Sequence, residues 1–265
     1  MQKSPIPVFI ISYNRGWLVE NLINSMNHLV TDFDFVVHDN GSDEPETLEI
    51  LEKLRQKKVK IKRNKKINHA DELNLVNNTV TDYFRTTKTT TKYYIVTDCD
   101  LDFSEANENA VKIYCGLLNY FKTARCVGPM LTIEDIPKTY PLYNHVMNRH
   151  ISQFWGKQPT IIKTNLGQVA FQRAVIDTTF AVHHRNEPFR RLKHGLRVYR
   201  PYEARHLDWY SEDQKDYSVD TNISHWANTR YTSQYWDTEL KNRKIFVIND
   251  FNNGKNLICR NKLVG

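Results

Sequence analysis

The chain is poor in the features that identify many proteins at sight. It has four cysteines in 265 residues, at 99, 115, 126 and 259, and none pairs with another as Cys-x-x-Cys. That scatter offers neither a zinc site nor a disulfide framework, and it fits a reducing, cytoplasmic setting. No apolar run approaches the roughly 18–20 residues of a membrane span. The N-terminal run Val8-Phe9-Ile10-Ile11 lacks the length and cleavage site of a signal peptide and reads straight into polar Ser12-Tyr13-Asn14-Arg15. The nine glycines never occur as Gly-x-Gly, which excludes a dinucleotide fingerprint. A Gly-x-x-x-x-Gly-Lys phosphate loop and a Gly-x-Ser-x-Gly elbow are also missing. A diphosphate, if the chain binds one, must therefore be held through metal and side chains. Repeats, low-complexity tracts and Gly/Ser/Pro linkers are absent as well, so one continuous domain over 1–265 is expected.

What the chain does have is positive charge. The net charge is +7, and Lys57, Lys58, Lys60, Lys62, Arg63, Lys65 and Lys66 crowd together. Such a run reads as a footprint for phosphates, nucleic acid or anionic membrane. It reads equally as a solvated helix end followed by an edge strand, with Val59 and Ile61 inward and lysines guarding the edge. No aromatic residues are interleaved to stack bases, which argues against nucleic acid as a partner.

The first half alternates strand and helix patterns. Strands are expected at Pro7–Ser12, Phe33–His38, Val59–Ile61 and Tyr93–Thr97. Helices are expected at Trp17–Leu29, Pro45–Lys57, Ala70–Phe84 and Ala106–Phe121. This alternation predicts an α/β fold with a mainly parallel central sheet flanked by helices. The second half is less regular. A strand is expected at Val127–Ile133 and another through a glycine at Thr164–Phe171. Pro137–Gln158 and Arg185–Arg205 read as irregular.

Parallel sheets bind ligands at the carboxyl ends of their strands. Three polar clusters fall there: Ser12-Tyr13-Asn14-Arg15, Asp39-Asn40-Gly41-Ser42-Asp43 and Asp98-Cys99-Asp100. The last is the most informative, because carboxylates recur at 98, 100 and 102 just after a buried strand. Carboxylates packed this closely repel, and burying them unpaired is costly. A hard divalent cation, Mn²⁺ or Mg²⁺, removes that cost and shares oxygen ligands with a diphosphate. The plainer reading is a solvated turn.

In these segments the chain resembles the GT-A-fold nucleotide-sugar glycosyltransferases, family 2 in style, over roughly residues 5–226. Val8 to Arg15 is similar to the family's opening strand, whose end cradles the nucleotide. Val36 to Asp43 resembles its second-strand motif, and Asp98-Cys99-Asp100 its Asp-x-Asp. Asn68-His69-Ala70 stands in place of the more usual Asn-x-Gly. Asn165 to Arg173 looks like the glycine loop near donor and acceptor. Trp209-Tyr210-Ser211-Glu212-Asp213 matches the x-Glu-Asp motif, and His225 stands where many members carry a metal-binding histidine.

The resemblance implies a GT-A fold in which 5–125 bind the nucleotide sugar and 126–265 form an irregular acceptor-binding and catalytic half. It implies transfer of a sugar from a nucleoside-diphosphate sugar, with UDP favoured, to a hydroxyl of a glycan or other acceptor. Donor contacts fall to Ser12, Tyr13, Asn14, Arg15, Asp39, Asn40, Asn68, Asp98, Cys99, Asp100 and Gly167. Asp100, Asp98 and His225 are the metal set. Asp213 is the general base of an inverting reaction, with Glu212 beside it. The alternatives are a retaining transferase on the same donor site, a sugar nucleotidyltransferase and a polyanion-binding protein. Peripheral contact with a membrane remains open.

Overall fold

The computed structural model describes residues 4–210, 239–252 and 255–264. The chain runs β1 (Ile6–Ser12), α1 (Gly16–Ser25), β2 (Phe33–Asp39), α2 (Pro45–Gln56), β3 (Lys60–Arg63), α3 (Val76–Thr86), β4 (Tyr93–Asp98), β5 (Leu101–Asp102) and α4 (Ala110–Tyr120). It continues β6 (Cys126–Pro129), α5 (Tyr143–His150), β7 (Thr160–Thr164), β8 (Gly167–Ile176), β9 (Ala181–His184), β10 (Lys193–Val198), β11 (Arg205–His206), β12 (Arg243–Phe251) and β13 (Asn256–Val264). Two compact units share these elements. One takes the residues up to 104 together with 108–128 and 175–196; the other takes 105–107, 129–174 and the described residues from 197 on.

The first unit is an α/β layer. Its strands lie in the order β3-β2-β1-β4-β9-β6-β10. The pairs β1–β2, β1–β4 and β2–β3 are parallel, and β9 joins β4 antiparallel. Strand β1 is central and buried along its whole length. A strand covered on both faces reads as a continuous apolar run, which is why Val8-Phe9-Ile10-Ile11 shows no alternation. Phe9 packs edge-on against Tyr83 of α3 and Tyr94 of β4. The parallel register sets Ser12 beside Asp39, Asp39 beside Arg63, and Ile11 beside Asp98. Polar residues that are far apart in sequence therefore leave the sheet at one edge.

The second unit is built from hairpins and a short helix. β7 and β8 form an antiparallel pair from Thr160↔Phe171 to Thr164↔Gly167, and β12 pairs with β13 from Arg243↔Val264 to Phe251↔Asn256. Trp155 is fully buried, donates its indole N–H to the Leu131 carbonyl at 3.2 Å and meets Tyr199 edge-on. Among the described residues, no helix is long and apolar enough to cross a membrane.

Several sequence expectations need correction. Helix α4 starts at Ala110 and not at Ala106, and Ala70–Leu75 is a tight 3-10 turn ahead of α3. Thr164–Phe171 is not one strand: the chain reverses at Asn165-Leu166, and Gly167 resumes it with φ +120°, a conformation that favours glycine. Pro137–Gln158, read as irregular, contains α5 and a π turn at Ile151–Trp155. Its aromatic and histidine residues hid a helical stripe, since Val146, Met147 and His150 are buried. Arg185–Arg205, read as loop, contains β10, in which Arg197 is buried with its guanidinium over the Phe154 ring. The basic composition masked a strand because a buried arginine can lay its stem along apolar surface.

Glu203 in the second unit is buried, accepting hydrogen bonds from the Thr132 hydroxyl at 3.1 Å and the Arg200 N–H at 2.9 Å. Burial pushes its carboxyl up to about 7 despite the pull of Arg200. The unfolded chain ionises Glu203 near the ordinary range, whereas the fold holds the proton longer. Stability should therefore fall as pH rises from about 4.5 to about 7 and then level off. Glu203→Gln should match wild type near pH 4.5 and exceed it at pH 8 by up to ~3 kcal/mol, at about 1.4 kcal/mol per pKa unit. Urea unfolding at the two pH values measures this. An equal gap at both would contradict it.

Candidate functional site

The site grows from two loops that follow β1 and β2. Asn14 has φ +48°, a left-handed conformation that asparagine tolerates because its side chain bonds locally. Its Oδ1 accepts the N–H groups of Asp43 at 2.9 Å and Glu44 at 3.2 Å, its Nδ2 donates to Asp43 Oδ1 at 2.7 Å, and its own N–H donates to Ser42 Oγ at 2.8 Å. Gly16 N–H donates to Thr47 Oγ1, and Asn40 N–H to the Ser12 carbonyl at 2.8 Å. The loops are thus locked together before any ligand arrives.

Asp39 is completely buried. Its carboxylate accepts the Ser42 N–H at 3.2 Å and the Ser42 hydroxyl, and Arg63 Nε lies 3.3 Å away. Gly41, at φ +82°, lets this turn close on the chain after β3, for a Cβ there would come within 2.8 Å of the Lys66 backbone nitrogen. His38 hydrogen-bonds through Nδ1 to Thr79 Oγ1 at 2.7 Å, and burial keeps it neutral by lowering its pKa to about 4. Lys66 sits over the Tyr13 ring at 4.8 Å. The basic run is largely engaged with the unit's own acids: Lys60 with Asp34, Lys62 with Asp82 and Arg63 with Asp39. β3 lies at the sheet's end, so the edge-strand reading of these lysines fits the structure.

The third loop follows β4. Arg15, at the start of α1, is buried and forms an ion pair with the buried Asp100, Nη1 to Oδ2 at 3.1 Å. Arg15 is therefore a buried side chain even though it stands at the start of a helix. Asp98 is partly buried, accepts the Thr178 hydroxyl at 2.7 Å and donates its own N–H to the Thr178 carbonyl at 3.1 Å. Burial, and next the charge of Asp100, hold the Asp98 carboxyl well above the usual range, while Thr178 and Arg191 pull it back. Cys99 between them is buried. Asp102 turns back to accept the Ser104 N–H at 2.6 Å, a local turn and not a cap on α4.

Asp98 and Asp100 both offer carboxylate oxygens, the ligand type that a hard divalent cation such as Mn²⁺ or Mg²⁺ takes.

The structure thus gathers Ser12, Tyr13, Asn14, Arg15, Asp39, Asn40, Asp98, Cys99 and Asp100 in the first unit. Asn68 is exposed, with its N–H donating to Glu72. Gly167 belongs to the second unit. Glu212, Asp213 and His225 lie outside the described residues, as do Trp226, Tyr231, Tyr235 and Trp236. Among the aromatic residues of the second half, Tyr140, Trp155 and Trp209 are core residues, and Tyr210 donates its hydroxyl to Asp135 at 2.6 Å. Sequence reasoning missed Ser42, Arg63, Thr178 and Arg191 as site residues. Ser42 lies inside a quoted motif and was within reach. Thr178 and Arg191 carry no local signal.

The described site combines an α/β layer, carboxylates at the end of β4 and a locked loop pair after β1 and β2. Residues 8–106 match the family model described as Glycosyl transferase family 2. No curated protein matches it. Similar solved structures include the mannosyltransferase PcManGT from Pyrobaculum calidifontis in complex with GDP-Man and Mn²⁺, at 13% identity and TM-score 0.41, covering 69% of this chain and 45% of that one. TarS 1–349 of S. aureus in complex with UDP is 14% identical with TM-score 0.41, over 68% of this chain and 47% of that one. Glucosyl-3-phosphoglycerate synthase of Mycobacterium tuberculosis is 13% identical with TM-score 0.35, over 69% and 57%. The chain spans about half the length of these structures.

The buried ion pair yields a test. Arg15→Met leaves Asp100 buried without this partner and should cost about 3 kcal/mol, the range for breaking a buried pair. Adding Asp100→Asn should recover at least half of that loss. Urea titration without divalent ions checks it. Equal stabilities for the single and double variants would contradict the pairing.

Proposed function

We propose that the protein transfers a sugar from a UDP-sugar to a hydroxyl of a glycan or other acceptor, with a divalent cation held by Asp98 and Asp100. The observation that carries this reading is the pair of carboxylates at the end of β4, each fixed by its own partner, Thr178 and Arg15. The cation supplies Lewis-acid stabilisation of the charge gathering on the diphosphate. The protein's own groups do the rest. The locked loops after β1 and β2 present the nucleotide pocket, with Tyr13 as stacking face and Asp39 fixing its floor. By their motifs, His225 is assigned to the metal set and Gly167 to the donor contacts, and Pro137–Gln158 and Arg185–Arg205 are assigned to acceptor recognition.

In this reading the acceptor oxygen forms a bond to the anomeric carbon while the bond from that carbon to the diphosphate oxygen breaks. The bonding electrons stay on the diphosphate, and the hydroxyl proton passes to the Asp213 carboxylate, with Glu212 binding acceptor or donor. Configuration inverts at the anomeric carbon. Four scattered cysteines with no Cys-x-x-Cys pair fit a reducing, cytoplasmic compartment.

Asp98→Asn should remove most metal-dependent UDP affinity and keep the fold, since it relieves the repulsion with Asp100. Asp213→Asn should leave UDP binding nearly intact and lower transfer by roughly 10²–10⁴-fold, the range for a lost general base. The anomeric configuration of the product, read by NMR beside that rate, decides the mechanism. A retained configuration would remove Asp213 from the role of base.

A further inference from the structure

The carboxylate of Asp98 is held by a chain of contacts that ends on a residue far from any motif. Thr178, in the connection between β8 and β9, is buried and bonds Asp98 reciprocally, hydroxyl to carboxylate at 2.7 Å and amide to carbonyl at 3.1 Å. The preceding residue, Asp177, is gripped by Arg191 through both forks of the guanidinium, Nε to Oδ1 at 2.7 Å and Nη2 to Oδ2 at 2.8 Å. A two-bond Arg–carboxylate fork fixes orientation as well as distance. Arg191 is itself largely covered, with 17% of its side chain exposed.

The segment that carries Arg191 is pinned in turn. Asn77 holds the Phe189 backbone from both sides, Nδ2 to its carbonyl at 2.8 Å and Oδ1 from its N–H at 2.9 Å. Asn74 Oδ1 accepts the Arg191 N–H at 3.1 Å. Leu192 then takes φ +56°, a left-handed conformation that a bulky residue adopts at a cost, so the surroundings impose it. All of these residues lie in the first unit. Asn74 of the 3-10 turn and Asn77 of α3 thus hold the β9–β10 connection, whose Arg191 grips Asp177, the neighbour of the one residue here that bonds the Asp98 carboxylate, Thr178.

We propose that Arg191 is a positioning residue of the donor site: through Asp177 and Thr178 it fixes the Asp98 carboxylate in the orientation that a divalent cation and diphosphate require. The role rests on the donor-site reading above. Partners behind a ligating carboxylate tune metal affinity by 10–100-fold without touching the metal.

The test is calorimetric binding of UDP to the full chain across a Mn²⁺ titration, with wild type, Arg191→Ala, Arg191→Lys, Asp177→Asn and the double variant Arg191→Ala/Asp177→Asn. Arg191→Ala should raise the Mn²⁺ concentration needed for half-maximal UDP binding by roughly 10-fold or more. UDP affinity at saturating Mn²⁺ should stay within a few-fold. Arg191→Lys should fall between, because it keeps charge but loses the fork. The double variant should be no worse than Arg191→Ala, as expected for two residues acting as one unit. Thermal midpoints identify variants that fail to fold. In that event Thr178→Ser, which keeps the hydroxyl, must bind like wild type while Thr178→Val shows the Mn²⁺ shift. If wild type binds UDP with Mn²⁺ and folded Arg191→Ala or Thr178→Val shows an unchanged Mn²⁺ requirement, the positioning role is overturned and the donor site stands. If wild type itself shows no metal-dependent UDP binding, the donor-site reading falls, and this role with it.

Discussion

The ion pair between Arg15 and Asp100 is the constraint on which the loops of the proposed donor site depend. Two charges within the fold are tolerated only when they meet, and their mutual attraction must offset several kcal/mol of lost hydration for each. The pair joins the first turn of α1 to the loop after β4, across the two central parallel strands. Once those ends are tied, the loops after β1 and β2 have little freedom left. Asn14 and Ser42 stitch them to each other, and Asp39 closes the turn from below.

The same arrangement explains why the acidic cluster does not simply repel itself apart. Asp100 is balanced by Arg15, and Asp98 is held by Thr178 with Arg191 behind it. The compensation is incomplete, because Asp98 still resists ionisation. A fold that leaves one carboxylate short of positive charge is less stable than it could be, and it is ready to gain from a cation. Strain of this kind is expected where a site is prepared for a ligand.

Much of the first unit was legible in the sequence, for a physical reason. Parallel strands buried on both faces appear as short apolar runs, and their carboxyl ends appear as abrupt polar clusters, so Val8–Ile11 and Tyr93–Val96 announce both fold and edge. Helix limits were less legible. Ala106 is buried yet precedes α4, since burial alone does not require helical backbone. In the second unit, a hairpin turning at Asn165-Leu166 passed for one strand because Gly167 reads as an interruption and not as a reversal. α5 was hidden by histidines that are core residues. The supports of the site were illegible because Thr178 reaches Asp98 across 80 residues and Arg191 acts on it only through Asp177. The assigned base, Asp213, rests on its motif.

The most direct test of the account is a crystal structure of the protein with UDP and Mn²⁺, with data collected at the manganese absorption edge. The account predicts an anomalous peak in direct contact with an Asp100 carboxylate oxygen and with the diphosphate, and Asp98 turned toward the same ion or its bound water. A UDP molecule bound without manganese at these carboxylates, or bound elsewhere on the chain, would contradict it.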